Sequence, residues 1–466
     1  MDALDEADEP LTPTGRMLLN PEMDQIIHSV IGVDCPIDVQ SVKDEISKSV
    51  MIQHPRFSSL LVRDDHGRER WRKIQVEIDR HIIVHQRPIT GDSLSGLTDE
   101  EAVNEYIADL AVSSPLSTDK PLWEVNILLA HKCAVLRVHH ALGDGVSLVS
   151  LFLSCCRRAD DPSQLPTILT VGEGSSSSSS TAGSNLSLGR LLKTVWLTAL
   201  YVLEFVLRSL FLKDKRTVMS GGDGVEHWPR KVATAKFNLE DMKAVKRAVT
   251  GSTINDVLLA VISSGLSKYL QHRSPKAVEE GLRITGVAFV NLRKQPGLQE
   301  LSNLMNKKSG SRWGNKFGIV LLPLHYHTDV TDPLQHVRRT KAMVDNKKLS
   351  MEAWFSYILA HLVTYCFGSK VATKLIKSVV NNTTFTISNV YGPQEVLTFA
   401  GHTITYMRVN TSSLSHATTM HMLSYAGKAE LQILVAKDII PDPHVLANLF
   451  ENALLEMKEA ALEQAE

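Results

Sequence analysis

The chain has 466 residues, of which 43% are hydrophobic and 22% charged, so it has room for two hydrophobic cores. A net charge of −1 gives no overall attraction to nucleic acid or to anionic lipid, so we expect no nucleic-acid partner. The five cysteines lack CxxC spacing and the N-terminus is acidic without an apolar signal segment. We therefore expect a cytosol-facing protein with reduced thiols and no zinc site.

The first third of the chain predicts a lobe of strands and helices that ends in a polar turn. Apolar patterning predicts a helix at 39–53, strands at 71–76 and 81–84, and a hairpin formed by 123–130 and 133–139. The stretch His139-His140-Ala-Leu-Gly-Asp144-Gly145 follows, and an apolar helix is predicted at 146–157. The two histidines thus lie at a strand-to-helix turn that contains two glycines.

His140 is the candidate general base, because a partly buried neutral imidazole accepts a proton from a hydroxyl near neutral pH. Such a base needs its other ring nitrogen protonated and held by a neighbouring acceptor. Asp144 could be that acceptor, or it could pair with an arginine and brace the turn. A simpler interpretation is that the histidines end a strand and Asp144 caps the next helix.

A Gly- and Ser-rich stretch at 171–187, with six consecutive serines, predicts a mobile connection between two lobes. The following segment, 188–216, is apolar in the middle and carries six basic and two acidic residues from 190 onward. On a helix, Arg190, Lys193, Glu204 and Arg208 share one side. The helix could lie in a membrane interface, pack on the protein's own surface, or span a bilayer, although its charges interrupt a span.

The second lobe is predicted to contain a helix at 257–270, strands at 282–289 and 318–322, and a final helix at 444–464. Asn255 is the candidate oxyanion or substrate-orienting donor, because its amide supplies hydrogens without a charge. The same stretch could equally cap the helix that follows it. His325 and His327 lack carboxylate or cysteine ligands in a recognisable pattern, so we expect no metal site.

Several separate stretches, spread over most of the chain, resemble one enzyme family. They are Pro121-Leu122-Trp123, the HHALGDG turn, Thr253-Ile254-Asn255-Asp256-Val257-Leu258-Leu259-Ala260, Asn291-Leu292-Arg293, Arg312-Trp313-Gly314-Asn315, Ser388-Asn389-Val390-Tyr391-Gly392-Pro393 and Ser424-Tyr425-Ala426-Gly427-Lys428. In this order and spacing they resemble the plant-type wax ester synthase/diacylglycerol acyltransferases of the HxxxD acyltransferase superfamily.

The resemblance implies an α/β fold of two chloramphenicol-acetyltransferase-like lobes, each a mixed β-sheet flanked by helices, with a tunnel at their interface. We place the lobes at 10–165 and 230–466, joined by the Ser-rich linker and an amphipathic membrane-associated helix at 166–229. The resemblance implies that His140 is the base, with His139 its neighbour and Asp144 orienting or structural. The candidate substrate-binding residues are Asn255, Asp256, Gly145 and Trp123. Trp123 could instead be a core residue.

The resemblance implies transfer of an acyl group from acyl-CoA, as co-substrate, to a long-chain fatty alcohol, with minor transfer to diacylglycerol. No other cofactor is expected. The chain has no G-x-S-x-G elbow, which argues against an acyl-serine route. The expected location is the cytosolic side of the endoplasmic reticulum membrane, with the plasma membrane as a second candidate. Two alternatives remain open: acyl transfer to a soluble alcohol or amine, and an inactive lipid-binding protein.

Overall fold

The structure is a computed structural model that describes residues 8–89, 97–167, 188–275, 279–293, 305, 313–327 and 331–464. The predicted Ser-rich connection at 171–187 and Arg312 lie outside these residues. The strands are β1 Glu9–Pro10, β2 Ile26–Val33, β3 Ser59–Arg63, β4 Glu69–Lys73, β5 Ile82–His85, β6 Trp123–Leu128, β7 Cys133–His139, β8 Arg157–Arg158, β9 Arg230–Asn238, β10 Arg283–Asn291, β11 Phe317–His325, β12 Phe385–Tyr391, β13 Leu397–Phe399, β14 His402–Thr411, β15 Thr418–Tyr425 and β16 Lys428–Ala436.

The helices lie between these strands, singly or in groups of two or three, and one follows the last strand. They are α1 Pro13–Leu18, α2 Val39–Lys48, α3 Val50–Gln53, α4 Asp99–Ser113, α5 Gly145–Cys155, α6 Leu188–Leu210, α7 Leu239–Ala248, α8 Ile254–Arg273, α9 Leu334–Leu349, α10 Glu352–Phe367, α11 Ser369–Asn381 and α12 Pro443–Glu463. The helix predicted at 39–53 is two helices, because Ser49 is extended and its hydroxyl donates to the Ile46 carbonyl at 2.7 Å.

Two large mixed sheets form the framework, and this confirms the predicted fold class. The N-terminal sheet has seven strands in the order β5-β6-β7-β2-β14-β13-β8, and the C-terminal sheet has six in the order β11-β10-β12-β15-β16-β9. Strands β5 and β6 are parallel in the first, and β10, β12 and β15 are parallel in the second. Strands β6 and β15 are buried along their whole length, as expected where both faces of a sheet are covered.

The chain returns to the N-terminal sheet late in the sequence, which the predicted boundaries did not anticipate. Strand β14 pairs antiparallel with β2, and β13 pairs with β8, although both β13 and β14 lie within the range 230–466. Residues 412–417 then lead directly into β15 of the C-terminal sheet. The boundary at 230 therefore does not separate the two sheets, and residues 397–411 must be added to the first lobe.

Helix α6 turns part of its charged side toward the protein. Arg208, only 2% exposed, pairs with Glu204 at 3.0 Å and with Asp214 at 2.9 Å, and Glu204 also pairs with Arg283. These contacts hold the helix against the C-terminal lobe and leave its apolar side outward, with Trp196 69% exposed. In the described part of the chain, no helix combines the length and apolar character that crossing a bilayer requires.

Candidate active site

A cavity of about 330 Å³ lies between the two sheets and includes the predicted catalytic turn in its wall. The N-terminal sheet contributes β2, β6, β7 and β14, and the C-terminal sheet contributes β10, β12 and β15. Most of the wall is apolar, and its polar side chains include His140 and Asp144 from the turn that follows β7. The fold thus brings His140 to an apolar space that both lobes enclose.

His140 is held in a defined orientation by an asparagine from the second lobe. Its Nδ1 lies 3.0 Å from Oδ1 of Asn315, and Nδ2 of Asn315 donates to the His140 carbonyl at 2.9 Å. Since the amide oxygen can only accept, Nδ1 carries the ring proton. Nε2 is therefore the unprotonated nitrogen, as a general base requires.

Burial lowers the pKa of His140, and the nearby His139 acts in the same direction. The Asp144 charge and the hydrogen bond to Asn315 oppose this effect without reversing it. The imidazole is thus neutral through the physiological range and has an available lone pair. A protonated ring would have none to offer.

Asp144 braces the turn and forms no hydrogen bond with His140. It caps α5 by accepting from the Ser147 N–H at 3.0 Å, and it also accepts from the Lys316 N–H at 3.0 Å. A buried ion pair joins it to Arg293, with 2.7 Å between Oδ2 and Nη1. Of the alternatives for Asp144, the geometry favours pairing with an arginine, and Asn315 takes the orienting position instead.

His139 is engaged on both ring nitrogens and lies outside the cavity wall. Nδ1 accepts from the Ala141 N–H at 3.0 Å, so Nε2 carries the proton and donates to Asp24 at 2.7 Å. This arrangement ties the turn to Asp24, two residues before β2 begins. The geometry corrects the expectation of direct catalysis, because no ring nitrogen is left for a substrate.

Asn255 and Asp256 are not in the cavity wall. Asn255 is exposed and accepts a hydrogen bond from Nδ2 of Asn389 at 2.6 Å. Of these two asparagines, Asn389 lines the cavity. Asp256 closes a capping box with Thr253 at the start of α8. The stretch therefore caps α8, as the alternative interpretation expected. The predicted substrate contacts of Asn255 and Asp256 are not observed, and the role of Asp256 is structural.

Trp123 and Gly145, the other predicted contacts, have different environments. Trp123 is fully buried, stacks on His81 with ring centroids 3.9 Å apart, and donates to the Phe57 carbonyl at 2.9 Å. It is a core residue, and its predicted contact with substrate is corrected. Gly145 does line the cavity, at the first turn of α5, where backbone N–H groups have no acceptor within the helix.

Three residues near the site were not predicted as functional. Asn315 and Arg293 appeared only within the stretches that carry the family resemblance, since their partners lie 175 and 149 residues away in sequence. His421 lines the cavity from β15, and one histidine within an apolar strand carries no sequence signal. Within the described ranges, no three His, Cys, Asp or Glu side chains group closely enough to hold a metal ion.

The fold itself is that of known acyl-transferring and condensing proteins. A wax ester synthase/diacylglycerol acyltransferase from Marinobacter aquaeolei VT8 superposes with a TM-score of 0.58 at 18% identity, covering 97% of this chain and 99% of that one. The first condensation domain of the CDA synthetase also superposes with a TM-score of 0.58, at 14% identity, covering 99% of this chain and 98% of that one. At these identities the likeness establishes the fold class alone.

Sequence comparison assigns the family. The wax ester synthase/diacylglycerol acyltransferase catalytic domain matches residues 36–258, and the WS/DGAT C-terminal domain matches 313–458. Wax ester synthase/diacylglycerol acyltransferase 5 of Arabidopsis thaliana is 34% identical over 489 aligned positions, covering 99% of this chain and 95% of the relative. Wax ester synthase/diacylglycerol acyltransferase 4 of the same plant is 35% identical, covering 98% of this chain and 91% of the relative. The chain belongs to the wax ester synthase/diacylglycerol acyltransferase family.

Proposed function

We propose that this protein is an O-acyltransferase that joins a long-chain acyl group from acyl-CoA to a fatty alcohol, with minor transfer to diacylglycerol. The observation that carries the proposal is the geometry of His140. Its Nδ1 is held by Asn315 and its ring borders an apolar cavity between the lobes. Membership of the family supports the reaction class.

In the proposed step, the alcohol oxygen bonds to the thioester carbonyl carbon while its proton passes to Nε2 of His140. The carbonyl electrons move onto the oxygen and form a tetrahedral oxyanion. When the carbonyl re-forms, the carbon–sulfur bond breaks and the imidazolium returns the proton to the departing sulfur. Coenzyme A leaves as the thiol, the ester remains, and His140 is neutral again, so no covalent enzyme intermediate is needed.

The cavity wall supports an aliphatic substrate. Ile127, Val138 and Leu151 are among the buried side chains that line it, and none offers a hydrogen bond to a polar acceptor. Burying a methylene group contributes about 0.8 kcal/mol, so a long chain gains affinity with each carbon that enters. Acyl-CoA is the only co-substrate that the proposal needs.

We predict that the purified protein forms hexadecyl palmitate from palmitoyl-CoA and hexadecanol, and a smaller amount of triacylglycerol when diolein replaces the alcohol. Product is measured by mass spectrometry, with a short polar alcohol and an amine as control acceptors. A preference for the polar acceptors would replace this proposal by the soluble-acceptor alternative. Binding of acyl-CoA without any product would favour the inactive lipid-binding protein.

We also propose that the protein docks on a membrane through an apolar outer face formed by α6 and α10. Its exposed side chains are Leu188, Leu191, Leu192, Val195, Trp196, Leu200 and Leu203 on α6, and Trp354, Ile358, Leu362 and Tyr365 on α10. A soluble monomer rarely exposes so many large apolar side chains together. The exposed Lys193 lies in the second turn of α6 and the exposed Lys213 and Arg216 follow its C-terminal end, where they would meet anionic headgroups.

We propose that the docked protein lies on the cytosolic side of the endoplasmic reticulum membrane, where its lipid substrates dissolve. Helix α10 supports the choice of surface, because its inner residues Ser356, Tyr357 and Ala360 line the cavity while Ile358 and Leu362 face outward. One helix thus separates the proposed bilayer contact from the substrate cavity. A fluorescent fusion protein tests the location, with the plasma membrane as the other possible outcome.

Replacing Leu200 and Ile358 by glutamate should lower binding to phosphatidylcholine vesicles that contain phosphatidylserine by at least about tenfold, because two carboxylates would enter the interface. Vesicle flotation measures the bound fraction. Leu455→Glu is the matched control, since Leu455 on α12 is 48% exposed, close to the 46% of Leu200, and lies on another part of the surface. Equal binding of all variants would rule out this face.

A further inference from the structure

We propose that His421 is a second catalytic residue, which donates a hydrogen bond to the carbonyl oxygen of the thioester as negative charge develops there. This inference rests on the proposed acyl transfer and deepens it. His421 lies in the middle of β15 in the C-terminal sheet, is 6% exposed, and lines the same cavity as His140. The two histidines therefore reach one space from different lobes.

The pairing of β12 with β15 explains why His421 faces the cavity. These strands are parallel, and His421 is in register with Ser388. Ser388 and Val390 on β12, and His421 and Leu423 on β15, all line the cavity. The alternate residue Met420 is buried in the core of the C-terminal lobe, on the other side of the sheet. The side-chain period of two thus turns the imidazole toward the substrate space.

The ring of His421 makes no hydrogen bond with the described residues. Its Nδ1 is enclosed and has no hydrogen-bond partner among the described residues. By contrast, the buried His416 is bonded on both nitrogens, to Thr383 at 2.9 Å and to Thr386 at 2.8 Å. Nε2 is not among the enclosed atoms, so it is the ring nitrogen that a ligand in the cavity can reach.

His421 is suited to donate to an oxyanion without competing for the proton that His140 takes. Burial, and then the proximity of His140, lower the pKa of His421 to about 4. The ring is therefore neutral during the reaction and carries one N–H. We assign that proton to Nε2, because an enclosed donor without a partner is rarer than an enclosed acceptor. A neutral imidazole can act as an electrophile in this way.

The oxyanion is the state in which this hydrogen bond matters most. The thioester carbonyl is a weak acceptor, and its oxygen gains a full negative charge when the alcohol adds to the carbon. A donor fixed in a water-poor site stabilises that charge without reorganising, and losing one such donor typically lowers kcat by about 10²- to 10³-fold. The loss should fall on kcat and leave binding of the acyl chain unchanged.

The test compares His421→Leu with His421→Gln. Leucine keeps the bulk of the side chain and removes the donor, so kcat for palmitoyl-CoA and hexadecanol should fall by about 10²-fold or more. Glutamine keeps an N–H group, and should recover at least about tenfold of that loss. S-hexadecyl-CoA, a thioether that has no carbonyl, should bind both variants and the wild type equally in calorimetry.

The matched control is His336→Leu on α9, which removes another 6% exposed histidine, outside the cavity wall, whose pKa burial also lowers to about 4. Its kcat should stay within about threefold of wild type. The assignment is overturned if His421→Leu retains kcat, if leucine and glutamine are equivalent, or if thioether affinity falls as much as kcat. A wild-type protein without product would contradict the acyl transfer itself, which is a separate outcome.

Discussion

His140→Ala is expected to lower the rate of ester formation by about 10²- to 10⁴-fold, because the alcohol would lose the group that takes its proton. Its melting temperature should stay close to that of the wild type, since the ring is only half-buried and borders a cavity. The loss should appear in kcat with palmitoyl-CoA and hexadecanol. Thioether binding provides the control, because it needs no proton transfer.

The pH dependence of the wild type gives a second measurement of the same group. The base works only when unprotonated, so the rate rises as pH increases through the pKa of His140. Because burial lowers that pKa, the midpoint of this rise should lie below pH 6.5, the usual value for imidazole. A rate that falls as pH decreases from 8 to 7 would contradict the lowered pKa. An unchanged rate in His140→Ala would contradict the proposed mechanism.

Asp144→Asn is expected to destabilise the protein by about 3–5 kcal/mol, the usual cost of removing one partner from a buried ion pair. Arg293 has a fully buried side chain, and it would lose the carboxylate that lies 2.7 Å away. Asparagine caps a helix as well as aspartate does, so the change isolates the charge. Urea unfolding measures the loss, which is a large share of a typical stability of about 5–15 kcal/mol.

The control for this prediction is Asp160→Asn. Asp160 pairs with Arg158 at 2.6 Å, yet its side chain is 67% exposed and water screens the pair. The unfolding midpoint should therefore not move. Similar shifts of the unfolding midpoint in both variants would show that the buried Asp144 pair stabilises the protein no more than the exposed pair does. A loss of activity in Asp144→Asn at full stability would instead indicate direct catalysis by the carboxylate.

Local patterns predicted the N-terminal half of the site well. The hairpin expected at 123–130 and 133–139 is β6 and β7, and the helix expected at 146–157 is α5, which ends two residues earlier. Continuous runs of Val, Leu and Ile and a turn with two glycines are strong signals. The position of the two histidines at the end of a strand therefore followed from sequence alone.

The contacts that complete the site are long-range, and local patterns do not contain them. Asn315 reaches His140 across 175 residues, and the Asp144 pair spans 149. The pairing of β14 with β2 also depends on tertiary packing. Sequence reasoning left Asp144 open between orienting the imidazole and bracing the turn through an arginine, because the sequence does not show which side chains meet in the fold. In the folded protein the nearest partner of the imidazole comes from the other lobe.

The late return of the chain to its first sheet affects how the protein is made. Strand β2 acquires β7 early, but its other neighbour, β14, begins about 370 residues after β2 ends. At about 5–20 residues per second, a ribosome needs roughly 20 to 70 seconds to deliver it. During that time the nascent chain presents an unpaired apolar edge, a known site of aggregation. We expect newly synthesised chains to depend on chaperones until residue 411 has emerged.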